Sequence, residues 1–245
     1  MNGWAGDWIF PDWPAPQHVR ACVTTRNGGA SQAPFDSFNL GDHVDDNPAA
    51  VAANRQCLQQ LLGCQPAWMS QVHSSTVVEA DPNACPVADA SWTDAPGIAS
   101  AVLTADCLPV LFCNLSGTRV AAAHAGWRGL AGGVLEAAVA AMGGSDAQLM
   151  AWLGPAIGPA AFEVGAEVRE AFVSQHAIAA EAFVPSRNAG RYMADIYQLA
   201  RIRLAACGVT RVFGGGFCTV TDPRFYSYRR AARTGRFASL VWIDG

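Results

Sequence analysis

The stretch VLTADCLPVLF, residues 102–112, sets an acid and a thiol between two strongly apolar pieces. The flanking runs, GIASAVLTAD before the break and PVLFCN after it, are short, apolar and bounded by turn residues, which is the pattern of buried strands. Asp106 and Cys107 therefore fall where one buried strand ends and the next begins. A similar break occurs in RVAAAHAGWRG, where His124 closes a run of small apolar residues. Another occurs in PAWMSQVHSSTVVEA, which reads as two short strands with Gln71 and His73 between them. Strand ends are where a rigid scaffold presents chemistry, and His73, Cys107 and His124 share that setting.

The rest of the chain fits around these strands. HVRACVTTRNGGAS reads as a strand running into a turn at Asn27, Gly28 and Gly29. DNPAAVAANRQCLQQLLG reads as a helix with Asn47 as N-cap, Pro48 in the first turn and Gly63 at the stop, its apolar face made of Val51, Leu58, Leu61 and Leu62. Further helices are expected in GGVLEAAVAAMG, GAEVREAFVSQ and MADIYQLARIRLAACG, and further strands in AQLMAWLG, TRVFGGG and RFASLVWI. Strands and helices mix throughout, and at least two strand-to-strand links carry no helix. The expected class is α/β of the mixed α+β kind: a single domain over residues 1–245 with a mixed sheet covered by helices.

Composition narrows the function classes. The chain has 245 residues, 51% of them hydrophobic and only 15% charged, with a net charge of −4. No basic block suited to a phosphate backbone occurs, which argues against nucleic acid as a partner. No apolar run approaches the roughly 18–20 residues of a spanning helix, which argues against a membrane. The start, MNGWAGDWIFPDWP, lacks the basic and apolar regions of an export signal, so the expected compartment is the cytoplasm. In that reducing setting the eight scattered cysteines are expected as thiols. Nothing specifies an oligomer, and a monomer is the working expectation; the WAGDWIFPDW segment packs either on its own domain or on a partner.

The wide spacing of His73, Cys107 and His124 excludes a zinc finger, whose ligands come in close pairs. Three readings remain. A thiolate with two imidazoles makes a three-ligand metal site with a fourth position open, the composition of catalytic zinc. The same atoms make a Cys nucleophile with a His base. Or all three are satisfied core residues.

QVHSSTV, TADCLPVLF, AAAHAGWRGL, GPAIGPAAFEVG and FYSYRRAARTGR, in that order, together resemble the YfiH/YlmD family. That family was formerly labelled a multicopper polyphenol oxidase or laccase domain. It is also called the peptidoglycan editing factor family, and its human relative is FAMIN. With TTRNGGAS, FNLGDHVDDN and ANR (53–55), the resemblance covers nearly the whole chain. It implies a YfiH-like fold once grouped with putative cysteine hydrolases and a zinc ion on His73, Cys107 and His124. It also implies phosphorolysis of the purine nucleosides adenosine, inosine and 5′-methylthioadenosine, with adenosine deamination as a further activity. The editing-factor name points instead to a Cys-His amide hydrolase acting on peptidoglycan precursors. The older name points to a copper-dependent polyphenol oxidase, which the five histidines of the chain support poorly.

Other roles follow from position. Asp106 is expected to orient a histidine or cap a turn in preference to shuttling a proton, because neighbours on a strand point to opposite faces. Arg128, among glycines before a helix, is a candidate phosphate holder or a structural ion pair. Arg26, before a Gly turn, is a second candidate, with Asn39 near it in the family pattern. Ser227 and Arg229 are candidates to meet an anionic substrate; the alternative is a solvated strand edge. Trp127 either stacks on a base or fills the core. His43 with Asp42, Asp45 and Asp46 mimics a metal cluster, but the expected reading is that Asp45 and Asp46 flank a helix start, and His18 and His176 are expected at the surface.

Overall fold

The computed structural model describes residues 7–144 and 148–245. Its strands form three sheets instead of the one mixed sheet expected. The first has the order β1 (Val19–Val23), β13 (Phe237–Ile243), β5 (Ile98–Thr104) and β2 (Gln65–Ala67). The second has six strands: β12 (Arg211–Gly214), β8 (Leu149–Leu153), β6 (Leu108–Asn114), β7 (Val120–Ala125), β4 (Ala90–Thr93) and β3 (Val77–Glu79). A small third sheet joins β10 (Phe183–Pro185), β11 (Arg191–Ala194) and β9 (Glu163–Gly165). Parallel pairs (β2 with β5, β3 with β4, β8 with β12) sit among antiparallel ones, so the mixed α/β class holds.

The two larger sheets pack face to face, and side-chain alternation builds the layers. Val110 and Phe112 of β6 face α2 (Trp127–Ala131), α3 (Val134–Ala141), α4 (Ala166–Val173) and α5 (Ile196–Ala206), while Leu111 and Cys113 face the opposite sheet. On the four-stranded sheet Val102 and Val241 point to the sheet interface, and Ala101, Leu103 and Leu240 point outward to a cluster with Phe38, Leu40 and Leu58. Leu58 belongs to α1 (Pro48–Leu62), whose cap is as read: the Asn47 side chain accepts from the Ala49 N–H, and Gly63 is left-handed. Leu61 is the exception on the expected apolar face, being exposed. The strand β4 and the three strands of the third sheet were not anticipated, because runs of three or four residues are too short to show a period.

Residues 4–6 of the opening WAGDWIFPDW segment lie outside the described residues; from Asp7 onward it packs on its own chain. Trp8 is buried against Phe38, and Ile9 bridges to Val23. All eight cysteines are free thiols. No helix among the described residues is long and apolar enough to cross a membrane.

Residues 102–112 prove to be the crossing between the two main sheets. β5 lies in the four-stranded sheet, β6 lies in the six-stranded one, and residues 105–107 make the bend between them. Phe112, fully buried on β6, is a measure of how much that core contributes. Phe112→Ala is expected to lower stability by about 3–5 kcal/mol in denaturant unfolding, whereas Leu61→Ala should stay within about 0.5 kcal/mol.

Candidate active site

Asp106 sits in the bend with a left-handed backbone, φ 88°. That reversal takes the chain off the strand and presents Cys107 at the sheet junction. The Asp106 carboxylate is fully engaged by the fold: it accepts from Thr219 Oγ1 at 2.5 Å and from the Arg229 N–H at 2.6 Å. It caps two later segments and does not reach a histidine, so of the expected roles the turn-capping one fits.

The residue that orients a histidine is Asp89, which the sequence reading passed over. It is completely buried just before β4. One carboxylate oxygen meets His124 Nδ1 at 2.8 Å and the His73 N–H at 2.9 Å. The other accepts from the N–H groups of Val72 and Ser74 and from the Ser74 hydroxyl. Burial raises its pKa, but hydrogen bonds from His124 and Ser74 more than offset this and hold the carboxyl well below its usual range. The lone acid in VADASW, set flush against a small-residue strand, was the available signal.

The Asp89 contacts fix the loop bearing His73, itself left-handed at φ 62°. His73 and His124 meet edge-on with ring centroids 4.7 Å apart, and Cys107 Sγ lies 3.7 Å from His73 Nε2. One ligand atom from each of His73, Cys107 and His124 lies within 4.8 Å of the others, as a shared metal ion requires. With Nδ1 taken by Asp89, His124 keeps Nε2 for the cavity. The donors also match the local electrostatics. Burial pushes the Cys107 thiol up, but His124 and then His73 pull it below its usual value; burial lowers His124, but Cys107 and Asp89 raise it. Gly126 leaves the room this cluster needs: a Cβ there would fall 2.7 Å from His73 Cδ2 and 2.9 Å from Cys107 Sγ.

The cluster opens into a cavity of about 530 Å³ with apolar walls from Leu103, Ile157, Phe162 and Ile196. Trp127, Tyr228, Arg128, Arg229, Arg236 and His43 also line it. The expected site residues divide accordingly. Arg128 and Arg229 reach the cavity; the Arg128 guanidinium lies 4.5 Å from the Trp127 ring centroid. Arg26 does not line it: its guanidinium binds Asp36 and covers the Tyr226 ring. Asn39 is buried scaffold, bonded to Gly41, Asp46 and Arg236. Ser227 is buried and accepts from the Arg230 N–H. His43, from which no metal role was expected, lines the cavity. Arg236, the last arginine of FYSYRRAARTGR, was within a recognised motif but was not singled out.

Over residues 20–244 the chain matches the family model described as multi-copper polyphenol oxidoreductase laccase. The chain belongs to that family. It is 68% identical over 238 residues to a Pseudomonas aeruginosa protein named purine nucleoside phosphorylase, covering 97% of this chain and 98% of that one. It is 53% identical over 240 residues to the Escherichia coli purine nucleoside phosphorylase YfiH, covering 96% and 98%. The fold matches a crystal structure of a Neisseria meningitidis protein with a TM-score of 0.94 at 52% identity, covering 98% of this chain and 100% of that one. It matches YlmD of Geobacillus stearothermophilus with a TM-score of 0.86 at 28% identity, covering 97% and 96%. The kinship to YfiH and YlmD expected from the motifs is borne out.

Asp89→Asn removes the charge that holds both the imidazole and the loop. It is expected to weaken divalent-metal affinity by about 10–100-fold in competition with a chromogenic chelator while the circular dichroism stays native. Gly126→Ala, at a backbone conformation alanine accepts, should lower the same affinity through crowding alone.

Proposed function

We propose that the chain is a purine nucleoside phosphorylase with a zinc ion on His73, Cys107 and His124. The observation that carries this reading is the His-Cys-His cluster at the foot of a cavity that is apolar along its walls and lined by arginines. The names of the relatives support it. A thiolate with two imidazoles and one open side suits zinc; a single copper would accept the same donors, but several coppers would need more than five histidines. Zinc held there would supply a Lewis acid beside the bound substrate.

The chain's own residues account for the rest of the reaction. Trp127, Phe162 and Tyr228 provide flat surfaces for the purine. Arg128 and Arg229 draw hydrogen phosphate into the cavity, where it is held against the ribose. A phosphate oxygen bonds to C1′, the bond from C1′ to N9 breaks, and the electron pair leaves with the base. The proton carried in by hydrogen phosphate ends on the purine, giving free base and ribose 1-phosphate. Adenosine, inosine and 5′-methylthioadenosine share the groups this requires. Deamination of adenosine belongs to the same proposal, with C6 turned toward the metal cluster, water entering and ammonia leaving. The reading places a monomeric enzyme in the cytoplasm.

Asp89 favours one second reading. Cys107, His124 and Asp89 have the order of a Cys-His-Asp triad, in which a thiolate attacks an amide carbonyl and the imidazole protonates the leaving amine. Peptidoglycan precursors would then be the substrate class.

Metal analysis coupled to product analysis separates these. Purified protein is expected to carry zinc and to release adenine from adenosine only with phosphate present. Metal-free protein that is active on amides and inert to adenosine would replace the first reading with the second. Cys107 in metal-replete protein should resist iodoacetamide until a chelator is added; immediate labelling counts against the metal site.

A further inference from the structure

Arg236 is the cavity arginine whose backbone the fold clamps on both sides. Its N–H donates to Asn39 Oδ1 at 2.8 Å, and its carbonyl accepts from the Leu40 N–H at 3.0 Å. Asn39 is fixed in turn by Gly41 and Asp46. The α1 residue Asn54 donates to the carbonyls of Ser37 and Asn39 and accepts from the Ala30 N–H. The three short motifs TTRNGGAS, FNLGDHVDDN and ANR thus make one polar scaffold behind Arg236. Gly41 completes it, since a Cβ there would stand 2.8 Å from Arg236 Cγ.

The guanidinium is held at one end only. Nη1 donates to the carbonyls of Thr234 and Gly235. Among the described residues Nε and Nη2 have no acceptor, and no carboxylate pairs with Arg236, whereas Arg20, Arg26, Arg55, Arg119, Arg203 and Arg224 each have one. Phe237 pairs with Thr104, so Arg236 stands across from the bend that carries Cys107. A half-buried guanidinium with N–H groups left open to the cavity is poised to meet an anion there. Its planar fork matches two oxygens of a phosphate. Arg26 is consumed by Asp36, Arg128 is exposed and stacked on Trp127, and Arg229 Nη1 is bound to the Glu163 carbonyl.

We propose that Arg236 is the residue that selects phosphate over water as the nucleophile at C1′. The inference rests on the phosphorylase reading and adds a specificity determinant to it. With hydrogen phosphate seated on Arg236, its oxygen bonds to C1′ as the bond to N9 breaks, and its proton ends on the base. When water takes that place the same bond breaks, and the products are free ribose and the protonated base.

The test uses Arg236→Gln and Arg236→Lys in the full chain. It measures KM for phosphate and for nucleoside, the ratio of ribose 1-phosphate to ribose, and inorganic phosphate binding without nucleoside. Arg236→Gln is expected to raise the phosphate KM at least about tenfold, a single lost charge-assisted contact, to shift product toward ribose, and to leave the nucleoside KM unchanged. Arg236→Lys should fall between the two, and it keeps the backbone clamp if the glutamine variant fails to fold. An unchanged phosphate KM in a variant with native melting behaviour overturns the proposal. Arg236-dependent phosphate binding without base release leaves the seat standing and sinks the phosphorylase reading. A wild-type protein that neither binds phosphate nor releases base sinks both.

Discussion

One buried carboxylate sets the geometry of the candidate site. Asp89 is wholly removed from water, a position tolerable for a charged group only when every lone pair finds a donor. The donors it finds are three consecutive loop N–H groups, a hydroxyl and an imidazole nitrogen. Two of the three metal-type side chains are therefore placed by the same anion: His124 through its ring and His73 through its backbone. Loop and ring are held by charge-assisted bonds in a low-dielectric setting, where such bonds are strongest. The third side chain, Cys107, is placed by a different carboxylate, Asp106, which anchors the bend to Thr219 and to the Arg229 backbone.

Much of this was legible in the sequence. The strand breaks at His73, Cys107 and His124 are visible because apolar runs stop abruptly at polar residues. The helix Pro48–Leu62 is visible because Asn47, Pro48 and Gly63 carry the chemistry of helix ends. What stayed hidden depends on pairings far apart in the chain. VLTADCLPVLF reads as two strands and a turn whether these belong to one sheet or two; only the pairing of β5 with β13 and of β6 with β7 and β8 separates them. Asp89 is one acid among many until its five donors are brought to it. Arg26 looked suited to a ligand because a Gly turn follows it, yet Asp36, ten residues on, takes its guanidinium. Arg236 looked like one more charge in a basic run, and its distinction is a clamped backbone with Nε and Nη2 left without an acceptor among the described residues. A residue type signals its chemistry in sequence; whether that chemistry is already spent within the fold is a property of tertiary structure.

The division of labour between motifs follows the layers. QVHSSTV, TADCLPVLF and AAAHAGWRGL bring the three metal-type ligands to the end of the sheet interface. TTRNGGAS, FNLGDHVDDN and ANR form a polar framework beside the four-stranded sheet, cross-linked through Asn39 and Asn54. The arginine-rich segment between Tyr226 and Phe237 joins the two sets: Arg229 binds Asp106 at one end, and Arg236 binds Asn39 at the other.

The position of the cavity at the crossing between sheets has a mechanical consequence. His124 extends from the six-stranded sheet, and Arg236 extends from the start of β13 in the four-stranded sheet. The chain passes between the two sheets at several points, the shortest being the bend at residues 105–107. A ligand that touches both His124 and Arg236 acts as a rivet across the seam, closing the long loop of chain between them. Its binding energy adds to the cohesion of the folded state by mass action. The melting temperature of this molecule is thereby a reading of what fills its cavity.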